Sequence, residues 1–435
     1  MSDQEKTQLW QMGFDSIKEL EAPLGILASG RSEAYGCIFG RDSFITSLEL
    51  LETYKRTNDA YFLQLVKKIL TNLALLQGTQ VQIESGEEPG KIIHEFRPDK
   101  HEHLTGRVTQ GLPAHERAWY VYPDNQMRNY DSVDSTPLFL LTLNKYWQVS
   151  KDNELIAELT PNITAALNWM HEYGDTNGDG FIDYRFHPDR TFGGLKSQSW
   201  MDSNESLFYE ESTLFPLYPI APVEVQAYAY AAYVSWSDYF AATDQKLAVE
   251  LAQKAAKLKK LFNEQFVIVH GKRVTLAFAL DGNGRKLTAA RSSMGHVLFA
   301  ANQTPTGVDC ILDNQYIEPL RLRLLSRDLF VPSAGVRTLS SRSLHYDPVS
   351  YHNGSIWPHD TAMLAQGLRN FGYEDDAKRV EHALLKAYTH FKTPIELFGY
   401  QKGYRTYSHS NGAGACQVQA WSAASLLAVV STMPL

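Results

Sequence analysis

Apolar residues at three- to four-residue spacing recur along almost the whole chain, and this pattern constrains the fold more than any other feature of the sequence. Such spacing gathers apolar side chains on one face of an α-helix. It predicts helices over residues 42–56, 60–77, 135–150, 153–174, 223–242, 245–266, 360–372, 375–391 and 419–431. Strand-like segments are few, and residues 273–280 are the best candidate. Because no Pro-, Ser- or Gly-rich linker divides the 435 residues, we expect one continuous all-α domain over 1–435.

Polar, glycine-containing clusters recur between the predicted helices, several of them just before an apolar helix. They lie near residues 37–43, 91–97, 128–136, 193–203, 219–226, 292–296, 335–338, 350–360 and 394–400. If alternate helices formed an inner ring, these loops would gather at one end of it. The pattern therefore predicts a toroid of helix pairs around a funnel-shaped site, and no internal repeat is visible as sequence identity.

Charge and cysteine content disfavour several classes of function. A net charge of −8 does not suit a nucleic-acid surface, which needs clustered Lys and Arg. The chain has neither an apolar run of the roughly 18–20 residues that span a bilayer nor an apolar signal core near its start. Cys37, Cys310 and Cys416 fit no disulfide framework or zinc pattern. We therefore expect a cytoplasmic protein with no nucleic-acid or membrane partner, and the oligomeric state stays open.

Residues 350–360, SYHNGSIWPHD, combine two aromatic rings with two histidines, an asparagine and an aspartate. Hydrogen-bonding groups beside flat apolar surface suit a polar ligand with apolar faces, such as a sugar ring. An aromatic content of 12% agrees with a carbohydrate or ligand cleft. The alternative is an ordinary helix N-terminus that binds no ligand, because Pro and Asp are common residues of a first helical turn.

Three further clusters carry groups suited to sugar chemistry. Arg41 and Asp42 in YGCIFGRDS (35–43) offer a planar donor fork beside an acceptor pair. Asp202 follows Trp and Met, so its carboxyl group could lie in an apolar wall, where desolvation raises the pKa of an acid. Glu396 sits among apolar residues, an unfavourable place for an unpaired carboxylate without a task. The alternative is that Asp42 and Asp202 cap helices or turns and that Glu396 is a surface residue between buried neighbours.

Segment 175–184, DTNGDGFIDY, has the first part of a calcium-loop pattern, with Asp175, Asn177, Asp179 and Asp183 as candidate ligands. The bidentate Glu of such loops is missing, because Phe186 stands at its position. A tight polar loop between two helices explains the composition without a metal, and we favour it. The sequence has no GxSxG elbow, P-loop or GxGxxG strand–turn–helix, which disfavours esterase, NTPase and dinucleotide functions. We expect no cofactor.

Taken together, these clusters resemble the amylo-α-1,6-glucosidase (glycogen-debranching) family, part of the glucoamylase-like six-hairpin glycosidases. The matching stretches occur in family order over nearly the whole chain. They are FGRDS (39–43), EEPGKIIHEFR (87–97), VDSTPLF (133–139), GDGFIDY (178–184), SQSWMDS (197–203), PIAPVEVQAYAYAA (219–232), GVRTLS (335–340), YDPVSYHNGSIWPHD (346–360), IELFGY (395–400) and QAWSAAS (419–425).

The resemblance implies an (α/α)6 toroid and an inverting, exo-acting hydrolase that removes an α-linked glucosyl residue, as an α-1,6-glucosidase does. By motif position it implies Asp202 as the general acid and Glu396 as the general base. The further residues that it implies as substrate-binding are Arg41, Asp42, His94, Glu95, Asp134, Trp200, Glu224, Gln226, Arg337, His352, Asn353, Trp357, His359 and Asp360.

Two departures from the family pattern bear on the substrate. Family members often carry an N-terminal β domain, for which the chain has no room before FGRDS, and Met201 stands where the motif usually has Lys. Both weaken the case for a long polymer. A related inverting enzyme for a mannosyl, glucosylglycerate-type or trehalose-like substrate is therefore the alternative. A non-catalytic carbohydrate-binding barrel is the rival of a different class.

Overall fold

The computed structural model describes residues 2–212, 214–304, 307–408 and 414–433. Helices dominate these ranges. In chain order they are α1 (Asp3–Leu20), α2 (Gly40–Thr57), α3 (Ala60–Ala74), α4 (Glu102–Thr105), α5 (Ser135–Ser150), α6 (Asn153–Glu172), α7 (Val223–Phe240), α8 (Gln245–Gln265), α9 (His296–Phe299), α10 (Asn314–Leu324), α11 (Pro358–Asn370), α12 (Glu374–Phe391) and α13 (Ala420–Ser431).

Six helices form a closed inner ring. Helix α2 packs on α5, α5 on α7, α7 on α9, α9 on α11, α11 on α13, and α13 returns to α2. The short α9 is preceded by a 3₁₀ turn, Ser292–Gly295, which also packs on α7 and α11 and so lengthens this side of the ring. Most residues of the long inner helices are buried, as in α13, where Ala420–Val430 are buried throughout. A helix that is buried all round must be enclosed by other elements.

The remaining long helices pack outside this ring. Helix α1 packs on α13, α3 on α2, α6 on α5, α8 on α7, α12 on α11, and α10 on the 3₁₀ turn before α9. These outer helices bury one face only; in α8 the buried residues are Ala248, Leu251, Ala255, Leu258 and Phe262, at the predicted three- to four-residue spacing. Six inner–outer pairs make an (α/α)6 toroid, and the predicted fold class is confirmed.

Short antiparallel strands occupy the connecting loops. Two sheets have three strands, in the orders β3–β4–β5 and β10–β9–β6, and the others are two-stranded. The strands are β1 (Glu21–Ala22), β2 (Gly25–Ile26), β3 (Ile38–Phe39), β4 (Glu95–Arg97), β5 (Met127–Asn129), β6 (Ala221–Pro222), β7 (Val267–His270), β8 (Arg273–Leu276), β9 (Ala279–Leu280), β10 (Lys286–Leu287), β11 (Asn302–Thr304), β12 (Gly307–Asp309), β13 (Phe330–Val331), β14 (Gly335–Val336), β15 (Phe398–Tyr400) and β16 (Tyr404–Thr406).

Two of these strands lead directly into inner helices. Strand β3 ends where α2 begins, and β6 ends where α7 begins. Register fixes the loops to one another, since Phe39 pairs with Glu95 and Glu95 pairs with Asn129 across three neighbouring strands. The loops before the inner helices are thus tied together at one end of the ring. Within the described ranges, no helix combines the length and the apolarity that a bilayer span requires.

Candidate active site

A narrow pocket opens where inner helices α2, α11 and α13 begin. Arg41 and Asp42 lie in the first turn of α2, Trp357 directly precedes α11, and Gln419 directly precedes α13. The cavity has a volume of about 50 Å³, and a single water needs roughly 10–15 Å³. Its lining residues are Tyr35, Phe39, Arg41, Asp42, Trp200, Asp202, Tyr351, His352, Trp357, Glu396, Gln419 and Trp421.

Asp202 lies on one wall of this pocket beside Arg41. The Arg41 guanidinium donates through Nη2 to Asp202 Oδ2 (2.6 Å) and through Nη1 to Asp134 Oδ2 (2.8 Å). Asp202 is 23% exposed, whereas Asp134 is fully buried behind the guanidinium. Desolvation raises the pKa of Asp202 to about 6, and the positive charge of Arg41 opposes that rise. Asp202 is therefore a carboxyl group that can hold a proton near neutral pH.

Glu396 contributes a second carboxyl group to the same pocket. Its Oε1 accepts from the Tyr351 hydroxyl (2.5 Å) and its Oε2 accepts from the backbone N–H of Cys416 (2.7 Å). The Tyr351 hydroxyl also lies 3.1 Å from that of Tyr35. Burial raises the pKa of Glu396 to about 7, and the hydrogen bonds from Tyr351 and Cys416 oppose the rise. Both oxygens of Glu396 are thus held in a fixed orientation.

Asp42 is the third buried carboxyl group of the pocket. Gln419 Nε2 donates to Asp42 Oδ1 (3.2 Å), which links the starts of α2 and α13. Burial raises the pKa of Asp42 to about 7, with Arg41 opposing and the neighbouring Asp202 and Glu396 adding to the rise. Asp42 and Asp202 lie beside the Arg41 charge and Glu396 lines the same pocket; three carboxyl groups with raised pKa values in one pocket are typical of a catalytic site.

Aromatic rings form the rest of the wall. Trp200 meets Trp357 edge to face, with ring centroids 5.3 Å apart, and His352 stacks on Trp357 at 5.1 Å. Desolvation lowers the pKa of His352 well below its ordinary value, so this ring is neutral. His352 Nδ1 then accepts the N–H of Ser203 (3.3 Å). Flat faces beside carboxyl groups present the two kinds of surface that a pyranose ring has.

Several buried polar atoms of the lining residues have no hydrogen-bond partner within the part of the chain that the structure describes. They are Arg41 Nε, Trp200 Nε1, Gln419 Oε1 and Trp421 Nε1. Buried polar groups in proteins are nearly always paired with protein, water or ligand. Such a concentration of unpaired donors and acceptors around one cavity suits a ligand rich in hydroxyl groups.

The structure brings seven of the predicted site residues into the pocket lining. These are Arg41, Asp42, Trp200, Asp202, His352, Trp357 and Glu396. It does not bring the other nine into the lining, which are His94, Glu95, Asp134, Glu224, Gln226, Arg337, Asn353, His359 and Asp360.

Three of these nine lie directly behind the lining. Asp134 holds Arg41, and His359 stacks under Trp421 with centroids 3.7 Å apart. The His94 ring lies against the edge of Phe39.

The other six have partners elsewhere or line another cavity. Arg337 is half-buried and donates to Tyr346 and to the carbonyl oxygen of Arg327; Gln226 bonds both the N–H and the carbonyl of Ile182. The remaining four have these environments: Glu95 pairs with Arg97, Asp360 with His296, Asn353 with Arg291, and Glu224 lines a separate cavity of about 20 Å³.

Five lining residues were not predicted from the sequence. They are Tyr35, Phe39, Tyr351, Gln419 and Trp421. All five lie within motifs that the sequence had singled out, namely 35–43, 350–360 and 419–425. The signal was therefore present at the level of the motif, and only the direction of each side chain was missing.

The acidic loop at 175–183 forms a hydrogen-bonded turn. Carboxylate oxygens of Asp175, Asp179 and Asp183 lie within 4.8 Å of one another. Asp175 accepts the backbone N–H of Gly178 (2.7 Å) and of Gly180 (2.8 Å), and Asp183 accepts the Thr176 hydroxyl (2.6 Å). These local bonds account for the carboxylates as parts of the polar turn that the sequence predicts.

The model of the family described as "Mannosylglycerate hydrolase MGH1-like glycoside hydrolase domain" matches residues 84–410. Among solved structures, the glucose complex of a GH63 mannosylglycerate hydrolase from Thermus thermophilus is 12% identical, with a TM-score of 0.63 over 98% of this chain and 100% of that chain. Its Tris complex gives 12% identity, a TM-score of 0.61 and the same coverage. A wild-type glycosidase is 14% identical over 99% of this chain and 98% of its own, with a TM-score of 0.58. At these identities the likeness concerns the fold. No curated protein matches the chain.

Proposed function

Because the chain belongs to the family of mannosylglycerate hydrolase MGH1-like glycoside hydrolase domains, we propose that it is an inverting, exo-acting hydrolase of a small α-glycoside. Asp202 is the proposed general acid and Glu396 the proposed general base. The observation that carries this proposal is that both carboxyl groups line one narrow pocket, each with a pKa raised toward neutrality.

In the proposed reaction, Asp202 gives its proton to the glycosidic oxygen as the bond from the anomeric carbon to that oxygen breaks. Glu396 takes a proton from a water molecule, whose oxygen bonds to the anomeric carbon from the opposite face. The leaving group departs as an alcohol and the sugar as a hemiacetal of inverted configuration. This geometry needs about 6.5–9.5 Å between the two carboxyl groups, which leaves room for the water.

The other pocket residues have proposed roles in binding. The donor fork of Arg41 and the acceptors of Asp42 suit adjacent hydroxyl groups of a terminal sugar. Sugar binding at Arg41 weakens the pair with Asp202 and thereby favours the protonated acid. Tyr351 donates to Glu396 and orients the base. A cavity of about 50 Å³ takes the end of a chain better than its middle, which supports an exo-acting enzyme.

Two observations favour a small glycoside over the α-1,6-linked branch of a glucan. The matching family model and the Thermus thermophilus structures carry the name mannosylglycerate hydrolase. Met201 also replaces the Lys of the debranching motif. The proposed substrates are accordingly mannosyl- or glucosylglycerate-type compounds or trehalose-like sugars, ahead of an amylo-α-1,6-glucosidase substrate.

A substrate panel tests this proposal. Wild-type protein is incubated with mannosylglycerate, glucosylglycerate, trehalose, isomalto-oligosaccharides and a limit dextrin, and the released sugar is quantified, with D202N as the blank. We expect release from one or more of the small glycosides. Preferential release from the limit dextrin would restore the debranching assignment, and the absence of release from every compound would favour a non-catalytic barrel.

A further inference from the structure

Arg291 is a completely buried guanidinium that joins two loops of the pocket. Its Nη1 donates to the carbonyl oxygen of His352 (2.7 Å) and contacts Met201 Sδ (3.3 Å). Its Nη2 donates to the carbonyl oxygen of Ser206 (2.5 Å) and to Asn353 Oδ1 (2.8 Å). One rigid fork thus reaches segment 201–206 and segment 352–353 at the same time.

The first of these segments carries Asp202, and both of its neighbours are fastened. Met201 contacts Arg291 directly. Ser203 lies with its Oγ 2.9 Å from His352 Nδ1, and the carbonyl of His352 accepts from Arg291. The Ser206 hydroxyl closes the turn, since it lies 2.5 Å from the Met201 carbonyl oxygen and 2.8 Å from that of Ser203. Asp202 therefore has little freedom to rotate away from its place in the pocket.

The groups around Arg291 suit a planar guanidinium specifically. The guanidinium carbon lies 5.0 Å from the Phe208 ring centroid and 4.8 Å from that of Phe278, within the range of cation–π attraction. Burial lowers the pKa of Arg291 to about 9, which leaves the group protonated at neutral pH. Within the described ranges no carboxylate forms an ion pair with it, and Glu210, Glu205 and Glu224 act on its charge only from a longer distance. A lysine could not span both loops, because its ammonium lacks the planar fork.

We propose that Arg291 is a positioning residue for the general acid. By holding Met201 and His352 it fixes the loop on both sides of Asp202, so that the acidic proton points at the glycosidic oxygen. This inference rests on the proposed function. Arg291 acts on proton donation to the leaving group, whereas sugar binding and the activation of water belong to other residues of the pocket.

The dependence of the rate on the leaving group tests this role. R291K is assayed on an alkyl α-glycoside that the wild type accepts, and on the α-glycosyl fluoride of the same sugar, whose leaving group needs little protonation. We expect kcat on the alkyl glycoside to fall by about 10- to 100-fold, a part of the range for general-acid catalysis, with KM within about twofold. On the fluoride, kcat should fall by less than about threefold.

R369K is the matched control, because Arg369 lies at the far end of α11 and pairs with Glu374 and Glu381. Its kcat should change equally little on both substrates. S206A removes only the hydroxyl that closes the turn. It should also lose more kcat on the alkyl glycoside than on the fluoride, by a smaller factor than R291K. If R291K does not fold, S206A provides the test. Equal losses on both substrates would overturn the positioning role. A wild type that accepts no alkyl α-glycoside and no α-glycosyl fluoride would instead overturn the proposed function and the inference with it.

Discussion

Arg41 acts on the charge of two of the three buried carboxyl groups of the pocket. Desolvation raises the pKa values of Asp42, Asp202 and Glu396, and the Arg41 charge opposes this for Asp42 and Asp202. The pKa is about 6 for the proposed acid and about 7 for the proposed base, and the proposed weakening of the Arg41–Asp202 pair on sugar binding raises the pKa of the acid further, as proton donation requires. Carboxyl groups with ordinary pKa values would both be ionised at neutral pH, and neither could then donate a proton.

D202N and E396Q should each lower kcat by about two to four orders of magnitude, the usual range for the loss of a general acid or base. D202N should recover much of its loss on an α-glycosyl fluoride, because that leaving group needs little protonation, whereas E396Q should not. Steady-state kinetics measures both effects. Melting temperatures should change little, because the relief of burying a charge is offset by weaker bonds to Arg41 in D202N and to Tyr351 and Cys416 in E396Q.

E49Q is the control for these two variants. Glu49 is also a buried carboxyl group on inner helix α2, but it does not line the pocket. Its neutralisation should leave kcat unchanged. Full activity of D202N on an alkyl glycoside, or of E396Q on either substrate, would remove that residue from the mechanism.

The pH dependence of kcat/KM should be bell-shaped, with its maximum between pH 6 and 7, because the active form needs a protonated Asp202 and an ionised Glu396. The Tyr351 hydrogen bond lowers the pKa of Glu396, so Y351F should raise that pKa. A raised pKa reduces the ionised base at acidic pH only. Y351F should therefore lose more kcat/KM at about pH 5 than at about pH 8.

Y35F is the control for this shift, because the Tyr35 hydroxyl lies 3.1 Å from that of Tyr351, whereas the hydrogen bond to Glu396 comes from Tyr351. Its pH profile should move less. Losses by Y351F of equal size at both ends of the profile would mean that the hydroxyl does not tune Glu396. A wild-type rate that rises steadily to about pH 9 would contradict the division into acid and base.

Among single residues, the sequence placed Asp202 and Glu396 correctly in one pocket, whereas it did not identify all of their neighbours there. Asp202 and Glu396 stand out because carboxyl groups among apolar residues need a reason. Arg337 was nominated from its motif, yet it faces the backbone of residue 327. Trp421 was overlooked although its motif was noted. Which side of a loop a side chain faces depends on strand register and helix starts that residue types alone do not specify.

Inner helix α2 contains a buried carboxyl group, Glu49, whose ionisation lowers the stability of the folded protein. Glu49 is 2% exposed, its Oε1 has no hydrogen-bond partner among the described residues, and burial raises its pKa to about 8. The folded state therefore holds the proton more tightly than the unfolded state does. Stability from this group is present below about pH 4.5 and is lost as the pH rises through 8.

E49Q should melt about 2–5 °C above the wild type at about pH 8, because a neutral amide removes the cost of the buried charge. At about pH 4 the two proteins should melt at nearly the same temperature. Calorimetry across this range measures the difference. E158Q is the control, since Glu158 is an exposed glutamate of helix α6 and has no part in the raised pKa of Glu49. A gain for E49Q that does not depend on pH would contradict the account.

Helix periodicity predicted elements well wherever a helix has one buried face or is apolar throughout. The nine predicted helices correspond to α2, α3, α5–α8 and α11–α13, with ends within three residues. Two long helices were not predicted: α1 has a charged, polar sequence, and α10 contains Pro319. The predicted strand at 273–280 is divided into β8 and β9 by Ala277 and Phe278. Apolar periodicity predicts helices with a long apolar face. Helices such as α1 and α10, which lack a clear pattern, depend on packing against their neighbours.

At the scale of the whole molecule, the closed inner ring explains why residues far apart in sequence meet. Asp202 precedes α7, and Glu396 lies between α12 and α13, yet both line the pocket at one end of the ring. The sequence predicted that the polar loops before apolar helices would meet at one end of the ring. The sequence could not predict that only some of those loops would reach the pocket, because that depends on the tilt of each helix in the ring.

The stereochemistry of hydrolysis is the most direct test of the central claim, that Asp202 and Glu396 work as the acid and base of an inverting glycosidase. Proton NMR recorded within the first minutes of turnover of an accepted α-glycoside distinguishes the anomers before mutarotation mixes them. We expect the released sugar to appear first as the β-anomer. Initial appearance of the α-anomer would contradict the account, because it would require a covalent intermediate on one of these carboxylates.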